Sequence, residues 1–67
     1  MMASMSEIKA IRKELGLTQI EFGARLGIHQ SQVSRWESGS VDPDVRTMMA
    51  ARLLLREHLD AVGERAA

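Results

Sequence analysis

Apolar residues recur every three or four positions along this chain, which is the spacing of an amphipathic helix rather than of a strand. The first such segment carries Ile8, Ile11 and Leu15, with Ser6 before it and Gly16 after it. Serine is a favoured N-cap, and glycine readily takes the left-handed conformation that ends a helix. A first helix is therefore predicted from about Ser6 to Leu15.

The ends of the next two helices are also marked. Thr18 and Glu21 have the spacing of a capping box, in which each side chain accepts a backbone N–H near the other, and Gly27 ends the helix that they begin. A third helix is predicted to begin near residue 29 or 30 and to stop at Gly39. Because only the few residues around Gly27 separate these two helices, the pattern indicates a helix-turn-helix.

A fourth helical segment follows. Asp42 is a capping side chain, and Pro43 suits the first helical position because its missing N–H is harmless there. Nothing after Pro43 breaks a helix before Gly63. The sequence therefore predicts an all-α fold, a compact bundle of about four or five helices.

The fourth segment carries more apolar residues than one helix face can bury. On a continuous helix, one side is lined by Val45, Met48, Ala51, Leu55, Leu59 and Val62. Met49, Leu53 and Leu54 lie off that side. Either the segment bends into two helices that bury both sets, or the second set contacts another molecule. We favour a homodimer formed through residues 49–62 over a lone monomer, because exposed Leu and Met side chains in a patch mark an interface.

Length and composition limit the domain and its chemistry. The chain has 67 residues and no cysteine, which predicts one small domain without a disulfide or a thiolate metal site. Residues 1–5 are expected to form a flexible end, and residues 6–67 a single domain. No segment is apolar and long enough to cross a bilayer, and no secretory signal is present, so a cytoplasmic location is expected. His29 and His58 lack metal-ligand spacing, and neither a metal nor a cofactor is expected.

Charge by itself does not favour a nucleic-acid partner. Nine basic residues balance nine acidic ones, so the formal net charge is zero. Binding to phosphate usually requires a basic surface. If DNA is the partner, local geometry must therefore account for the binding.

The third helix has a polar face that carries little charge. At about 100° per residue, this face collects Gln30, Ser31, Ser34, Arg35 and Ser38. Val33 and Trp36 lie on the opposite side, where they can pack against the second helix. A glutamine amide can bind adenine through two hydrogen bonds, an arginine can bind guanine in the same way, and a serine can serve either. The face therefore suits the base edges of a DNA duplex.

The segment LTQIEFGARLGIHQSQVSRWESG resembles the Cro and phage-repressor type of helix-turn-helix domain, also called XRE-like. The matching features are Leu17-Thr18-Gln19, Gly23, Leu26-Gly27, Val33, Trp36-Glu37 and Gly39. With the first helix included, the resemblance covers about residues 6–39. It implies that the third helix lies in the major groove of double-stranded DNA.

The resemblance also implies roles for individual residues. The base-reading positions of the family fall on Gln30, Ser31 and Arg35, with additional candidates at Gln32 and Ser34. Positions that contact phosphate or brace the third helix fall on Gln19, His29 and Ser38, with assistance expected from Arg46. An arginine of the first helix and a glutamate at the end of the third form a structural ion pair in the family, and these positions are Arg12 and Glu37.

Two features depart from the family pattern. Many members carry Lys or Arg just after the third helix, whereas this chain has Asp42 and Asp44, carboxylates that could instead cap the fourth helix. Gly23 replaces the usual alanine, and glycine inside a helix costs roughly 0.5–1 kcal/mol of stability. The first departure weakens the expected contact with phosphate, and the second leaves the fold unchanged.

Together these patterns predict a sequence-specific DNA-binding transcriptional regulator, expected to be a repressor, that binds an inverted repeat as a homodimer. The alternative is a protein-interaction module, such as an antitoxin or an adaptor, whose apolar C-terminal helix binds a partner protein. Catalysis is not expected, because the sequence has no cysteine nucleophile, no glycine-rich phosphate loop after a strand and no Ser/His/Asp set.

Overall fold

Four helices make up the part of the chain that the structure, a computed structural model, describes: residues 6–66, with side chains described for residues 6–63. The helices are α1 (Glu7–Leu15), α2 (Gln19–Leu26), α3 (Gln30–Ser38) and α4 (Val45–Ala66). The expected all-α class and the helix-turn-helix of α2 and α3 are confirmed. The N-terminal end expected to be flexible, residues 1–5, lies outside the described residues.

The helices begin at the capping residues that the sequence indicates. Ser6 Oγ accepts the backbone N–H of Lys9 at 3.2 Å at the start of α1. At the start of α2, Thr18 Oγ1 accepts the N–H of Glu21 at 3.1 Å, and Glu21 Oε1 accepts the N–H of Thr18 at 2.9 Å. Each bond satisfies a donor that a helix start leaves without an intrahelical partner.

The turn between α2 and α3 depends on two glycines. Gly27 has a φ of +71°, in the left-handed region that glycine adopts without strain. Gly23, inside α2, faces the turn, and its carbonyl oxygen accepts the N–H of Ile28 at 2.8 Å. A Cβ atom on Gly23 would stand 2.5 Å from the carbonyl oxygen of Ile28. The interpretation of Gly23 as a small loss of helix stability is therefore incomplete, because the missing side chain lets α2 and the turn approach closely.

The core lies between the helices, where α3 packs against α1 and α2, and α4 packs against the same two helices. Its buried side chains are Ile8, Ile11, Phe22, Val33, Trp36 and Ala51. Half-buried side chains from all parts of the chain pack around them, namely Leu15, Leu17, Leu26, Ile28, Met48, Leu54 and Leu55. Because Val33 and Trp36 come from α3, the core holds that helix by one side and leaves its other side exposed.

The fourth helix begins two residues later than the sequence analysis predicts. Asp44 Oδ1 accepts the backbone N–H of Thr47 at 2.9 Å, which makes Asp44 the N-cap. Asp42 and Pro43 precede the helix, so the assignment of Asp42 as the cap and Pro43 as the first helical residue is wrong. From Val45 onward the helix is continuous, and it does not bend into two.

The apolar residues of α4 divide differently from the predicted stripe. Met48, Ala51 and Leu55 pack on the core as predicted. Leu54, which the sequence analysis groups with the exposed set, is half-buried against the core instead, so that assignment is corrected. The remaining large apolar side chains in the described part of the helix are exposed: Val45, Met49, Leu53, Leu59 and Val62. Val45 lies just after the N-cap, and Leu59 and Val62 lie near the end of α4, so these three members of the predicted stripe stay outside the core.

Among the described residues, no helix combines the length and the hydropathy that a membrane-spanning segment needs.

Candidate nucleic-acid interface

The exposed side of α3 presents four polar side chains to solvent: one amide, two hydroxyls and one guanidinium. Gln30, Ser31, Ser34 and Arg35 are exposed, while Val33 and Trp36 on the other side are buried. This is the division of the helix that its sequence predicts. The buried side fixes the helix on the domain, and the exposed side is free to meet a partner.

Gln32 differs from the other candidate base-reading residues. It is half-buried and lines a shallow groove with Trp36, Asp42, Asp44 and Thr47, between α3 and the start of α4. Gln32 therefore lies beside the surface that carries Gln30 and Arg35 and is less exposed than they are. The structure brings Gln30, Ser31, Ser34 and Arg35 together on one surface and leaves Gln32 at its edge.

A bidentate ion pair joins α1 to the end of α3. Arg12 Nε donates to Glu37 Oε2 at 2.6 Å, and Arg12 Nη2 donates to Glu37 Oε1 at 3.0 Å. Arg12 Nη1 also donates to the carbonyl oxygen of Leu17 at 2.9 Å. Only 14% of the Arg12 side chain and 6% of the Glu37 side chain are exposed. The pair that the family resemblance implies is thus present, and it is largely removed from water.

The surroundings of this pair stabilise its charged form. Burial alone would raise the pKa of Glu37, but hydrogen bonds from Arg12 and Gln19 outweigh it and hold that pKa below the ordinary glutamate value. The bond to Glu37 also raises the pKa of the Arg12 guanidinium. Both groups are therefore ionised at neutral pH.

Gln19 connects the ion pair to the exposed side of α3. Gln19 Nε2 donates to Glu37 Oε1 at 3.2 Å, and Gln30 Nε2 donates to Gln19 Oε1 at 3.2 Å. The bond between Gln19 and Gln30 joins the two residues between which the family resemblance implies a bracing contact. The bond between Gln19 and Glu37 was not anticipated, because residues 18 positions apart carry no local signal of their contact.

This chain of hydrogen bonds determines which way two amides point. An ionised carboxylate only accepts, so Gln19 must turn its Nε2 toward Glu37 and its Oε1 toward Gln30. Gln30 must then donate one Nε2 hydrogen to Gln19. The Gln30 amide is left with one free donor hydrogen and its carbonyl oxygen, which is one donor and one acceptor.

Apart from Gln19, the residues expected to contact phosphate or brace α3 lie at the two ends of α3 and at the start of α4. His29 is the N-cap of α3, where its Nδ1 accepts the N–H of Ser31 at 3.2 Å. Ser38 Oγ donates to the carbonyl oxygen of Arg35 at 3.1 Å. Arg46 is exposed in the first turn of α4. His29 and Ser38 therefore each form a hydrogen bond within the domain, at the start and at the end of α3. Their sequence positions alone do not separate this structural role from a role in binding phosphate.

The two aspartates after α3 have different environments. Asp44 is the N-cap of α4, and the bonds from Thr47 lower the pKa of its carboxyl group. Asp42 lines the groove beside Gln32 and Trp36. Of the two carboxylates that depart from the family pattern, that of Asp44 is therefore hydrogen-bonded to the first turn of α4.

No group of three or more His, Cys, Asp or Glu side chains in the described part of the chain is arranged to hold a metal ion.

Comparison with known proteins gives an independent view of this arrangement. A family model described as helix-turn-helix matches residues 8–61. A curated protein of Methanothermobacter thermautotrophicus, described as an uncharacterized HTH-type transcriptional regulator, is 38% identical over 56 residues. The aligned part covers 82% of this chain and 81% of that relative. No solved structure matches the chain significantly.

Proposed function

The chain belongs to the XRE-type helix-turn-helix family of DNA-binding transcriptional regulators, and on that premise we propose that it is a repressor that binds an inverted-repeat operator as a homodimer. The third helix, α3, enters the major groove and reads base edges there. Proteins of this family are generally not enzymes, and the proposed function includes no catalysed reaction and no cofactor.

The observation that carries the proposal is the exposed side of α3. Soluble helices usually expose Glu and Lys, whereas this one exposes Gln30, Ser31, Ser34 and Arg35 on a single surface. These side chains offer hydrogen-bond donors and acceptors but only one formal charge. Such a surface suits the base edges of DNA better than it suits simple exposure to water. Their backbone is held from behind by two buried side chains, Val33 and Trp36.

The hydrogen bonds of Gln30 favour adenine as its base. Adenine presents an acceptor, N7, and a donor, N6, in the major groove, whereas guanine presents two acceptors. After one hydrogen of Gln30 Nε2 is used on Gln19, the amide retains one donor and one acceptor. That remaining pair matches adenine and does not match guanine.

Arg35 is the proposed reader of guanine. It is exposed, and the described residues contain no acidic partner for it. A guanidinium can donate two parallel hydrogen bonds to guanine O6 and N7. Ser31 and Ser34 complete the base-reading set, with Gln32 at its edge.

Contacts with the DNA backbone are proposed at the ends of the helices. Gln19 and His29 lie at the starts of α2 and α3, where backbone N–H groups and the helix dipole favour phosphate. Ser38 and Arg46 lie at the end of α3 and the start of α4. This set of contacts is small, the chain has no net positive charge, and the carboxylate of Asp42 lies nearby. We therefore expect the sequence-independent affinity for DNA to be weak.

The homodimer is proposed to form through α4. Met49 is 62% exposed and Leu53 is 56% exposed, and Leu59 and Val62 are also exposed farther along the helix. A monomer gains nothing by placing these side chains in water, and apolar patches of this kind mark interfaces. A two-fold pair would place two copies of α3 on half-sites about one helical turn apart.

The same exposed residues support a second candidate function. An antitoxin or adaptor would use the apolar side of α4 to bind a partner protein, and the acidic Asp42 and Asp44 near α3 agree with a minor role for DNA. The two functions are compatible in one protein. They differ in whether DNA binding is selective.

Enrichment of bound duplexes from a random library, at two salt concentrations, tests the proposal. A regulator enriches an inverted repeat, and its binding weakens with added salt. Arg35→Ala is expected to flatten the preference at one base step, while the control variant Lys13→Ala, which removes an exposed cation from α1, leaves the enriched sequence unchanged. Failure to enrich any sequence would leave only the protein-interaction function.

A further inference from the structure

His29 caps α3 in a way that involves both polar groups of Ser31. The backbone N–H of Ser31 donates to His29 Nδ1 at 3.2 Å. The hydroxyl oxygen of Ser31 lies 3.0 Å from the same ring nitrogen. Histidine is not among the side chains preferred at a helix N-cap, which are Ser, Thr, Asp and Asn. A role besides capping would explain its presence here.

The direction of these two hydrogen bonds follows from the donors available. A backbone N–H can only donate, so His29 Nδ1 must be an acceptor and carries no proton. An unprotonated Nδ1 cannot donate to the hydroxyl, so the Ser31 hydroxyl donates its single hydrogen to Nδ1. The neutral ring of His29 then carries its proton on Nε2.

This arrangement changes what Ser31 can offer to a partner. A serine hydroxyl ordinarily acts as a donor or as an acceptor, because it rotates to suit its surroundings. With its hydrogen held by His29, the Ser31 oxygen has only lone pairs to present. Ser31 is exposed beside Gln30, on the surface proposed to meet base edges.

We propose that His29 is a positioning residue that holds the Ser31 hydroxyl as an acceptor, so that Ser31 selects a base with an exocyclic amino group. In the major groove, adenine presents the amino group N6 and cytosine presents N4, whereas guanine and thymine present only acceptors. The base opposite Ser31 is therefore adenine or cytosine. This inference rests on the proposed function and adds to it a rule for one operator position.

Three proteins separate positioning from capping in the same library enrichment: the unaltered chain, Ser31→Ala and His29→Ser. Serine is a preferred N-cap, so His29→Ser keeps the start of α3 but removes the ring nitrogen that orients the hydroxyl. The unaltered chain is expected to favour adenine or cytosine at one position of each half-site by about fivefold, the effect of one hydrogen bond. Both variants are expected to lose that preference and to keep the preferences at the other positions.

A measurement on the free protein tests the contact without DNA. At about pH 8, where imidazole is ordinarily neutral, the ¹⁵N shifts of His29 are expected to report a proton on Nε2. They are also expected to stay unchanged in Lys13→Ala, a variant at an exposed position of α1, and to move in Ser31→Ala. A proton on Nδ1 would overturn the proposal.

Two other outcomes have distinct meanings. If His29→Ser keeps the preference for adenine or cytosine, His29 is only a cap and the positioning role is overturned. If the unaltered chain enriches no sequence at all, the proposed function fails together with this inference.

Discussion

Glu7 and Arg52 form a bidentate ion pair that nearly repeats the geometry of Arg12 and Glu37, but in water. Arg52 Nε donates to Glu7 Oε2 at 2.8 Å, and Arg52 Nη2 donates to Glu7 Oε1 at 3.0 Å. The Arg52 side chain is 59% exposed and the Glu7 side chain 53%, against 14% and 6% for Arg12 and Glu37. The chain therefore contains two ion pairs of similar geometry that differ in burial.

Burial predicts that only one of these pairs is important for stability. Glu37→Gln leaves the Arg12 guanidinium without its counter-ion in a site with little water, and we expect a loss of about 3 kcal/mol in the free energy of unfolding. Glu7→Gln is the matched control, because exposed ion pairs contribute little. Thermal unfolding followed by circular dichroism measures both. Equal melting temperatures for Glu37→Gln and the unaltered chain would show that the buried pair is not structural.

Acid is expected to destabilise the fold partly through Glu37. The pKa of Glu37 in the folded chain lies below its ordinary value of 4.5, which the unfolded chain regains. Its contribution to stability is complete above that ordinary value and disappears as the pH falls through the folded pKa. We therefore expect the unfolding free energy to fall below about pH 4.5, with a smaller slope in Glu37→Gln. Part of the slope remains in that variant, since the bond to Arg52 also lowers the pKa of Glu7. Identical slopes in denaturant titrations across this range would contradict the assignment.

Local signals were sufficient to predict most of the fold. The caps at Ser6 and Thr18 and the glycines at the helix ends depend on neighbours within about four residues, and the structure places them as predicted. Such local signals do not decide between Asp42 and Asp44 as the N-cap of α4, because both are capping residues and they are only two positions apart. The structure shows that Asp44 is the cap, since its Oδ1 accepts the N–H of Thr47.

The features that could not be predicted from the sequence depend on contacts between residues far apart in the chain. The position of Leu54 in the core depends on how α4 rotates against α1 and α2, and helical periodicity alone placed it outside. The bond between Gln19 and Glu37 likewise exists only once α2 and α3 have packed. The polar surface of α3 was predictable because one helix contains all of it.

Gly23 is expected to tolerate no branched side chain. A Cβ atom there meets the Ile28 carbonyl oxygen at 2.5 Å, and backbone in a tight turn cannot move aside cheaply. Gly23→Val should lower the unfolding free energy by about 1–3 kcal/mol, the usual cost of overpacking. Ala24→Val is the comparison, because residue 24 is exposed on the same helix and valine there costs only helix propensity, whereas at residue 23 propensity alone would favour valine over glycine. A variant at residue 23 that is no less stable than the one at residue 24 would show that the turn relaxes freely.

The exposed side of α4 is expected to hold two copies together. Leu53→Glu places a charge in the proposed interface, where a partner would bury it, and should convert a dimer to a monomer. Ile20→Glu is the control, because Ile20 is also an exposed apolar residue but lies on α2. Sedimentation at micromolar concentration distinguishes the species. A single species of 7.5 kDa for the unaltered chain would rule out the dimer.

Gln19 is expected to control the base preference of Gln30 without reading a base itself. Its amide is held by Glu37, and it in turn takes one hydrogen of Gln30. Gln19→Met keeps a side chain of similar length but cannot accept that hydrogen well, so the Gln30 amide becomes free to offer two donors. Guanine, with two acceptors, then becomes an acceptable partner.

The measurement is a competition between duplexes that carry adenine or guanine at the step facing Gln30. The unaltered chain is expected to discriminate by about 1–3 kcal/mol, the range for a good bidentate contact. Gln19→Met should reduce that discrimination while it retains binding to the adenine duplex, and Gln30→Ala should remove the discrimination entirely. An equal loss of affinity for both duplexes in Gln19→Met would instead show that Gln19 acts only as a phosphate contact and has no influence on Gln30, because phosphate contacts carry no base preference.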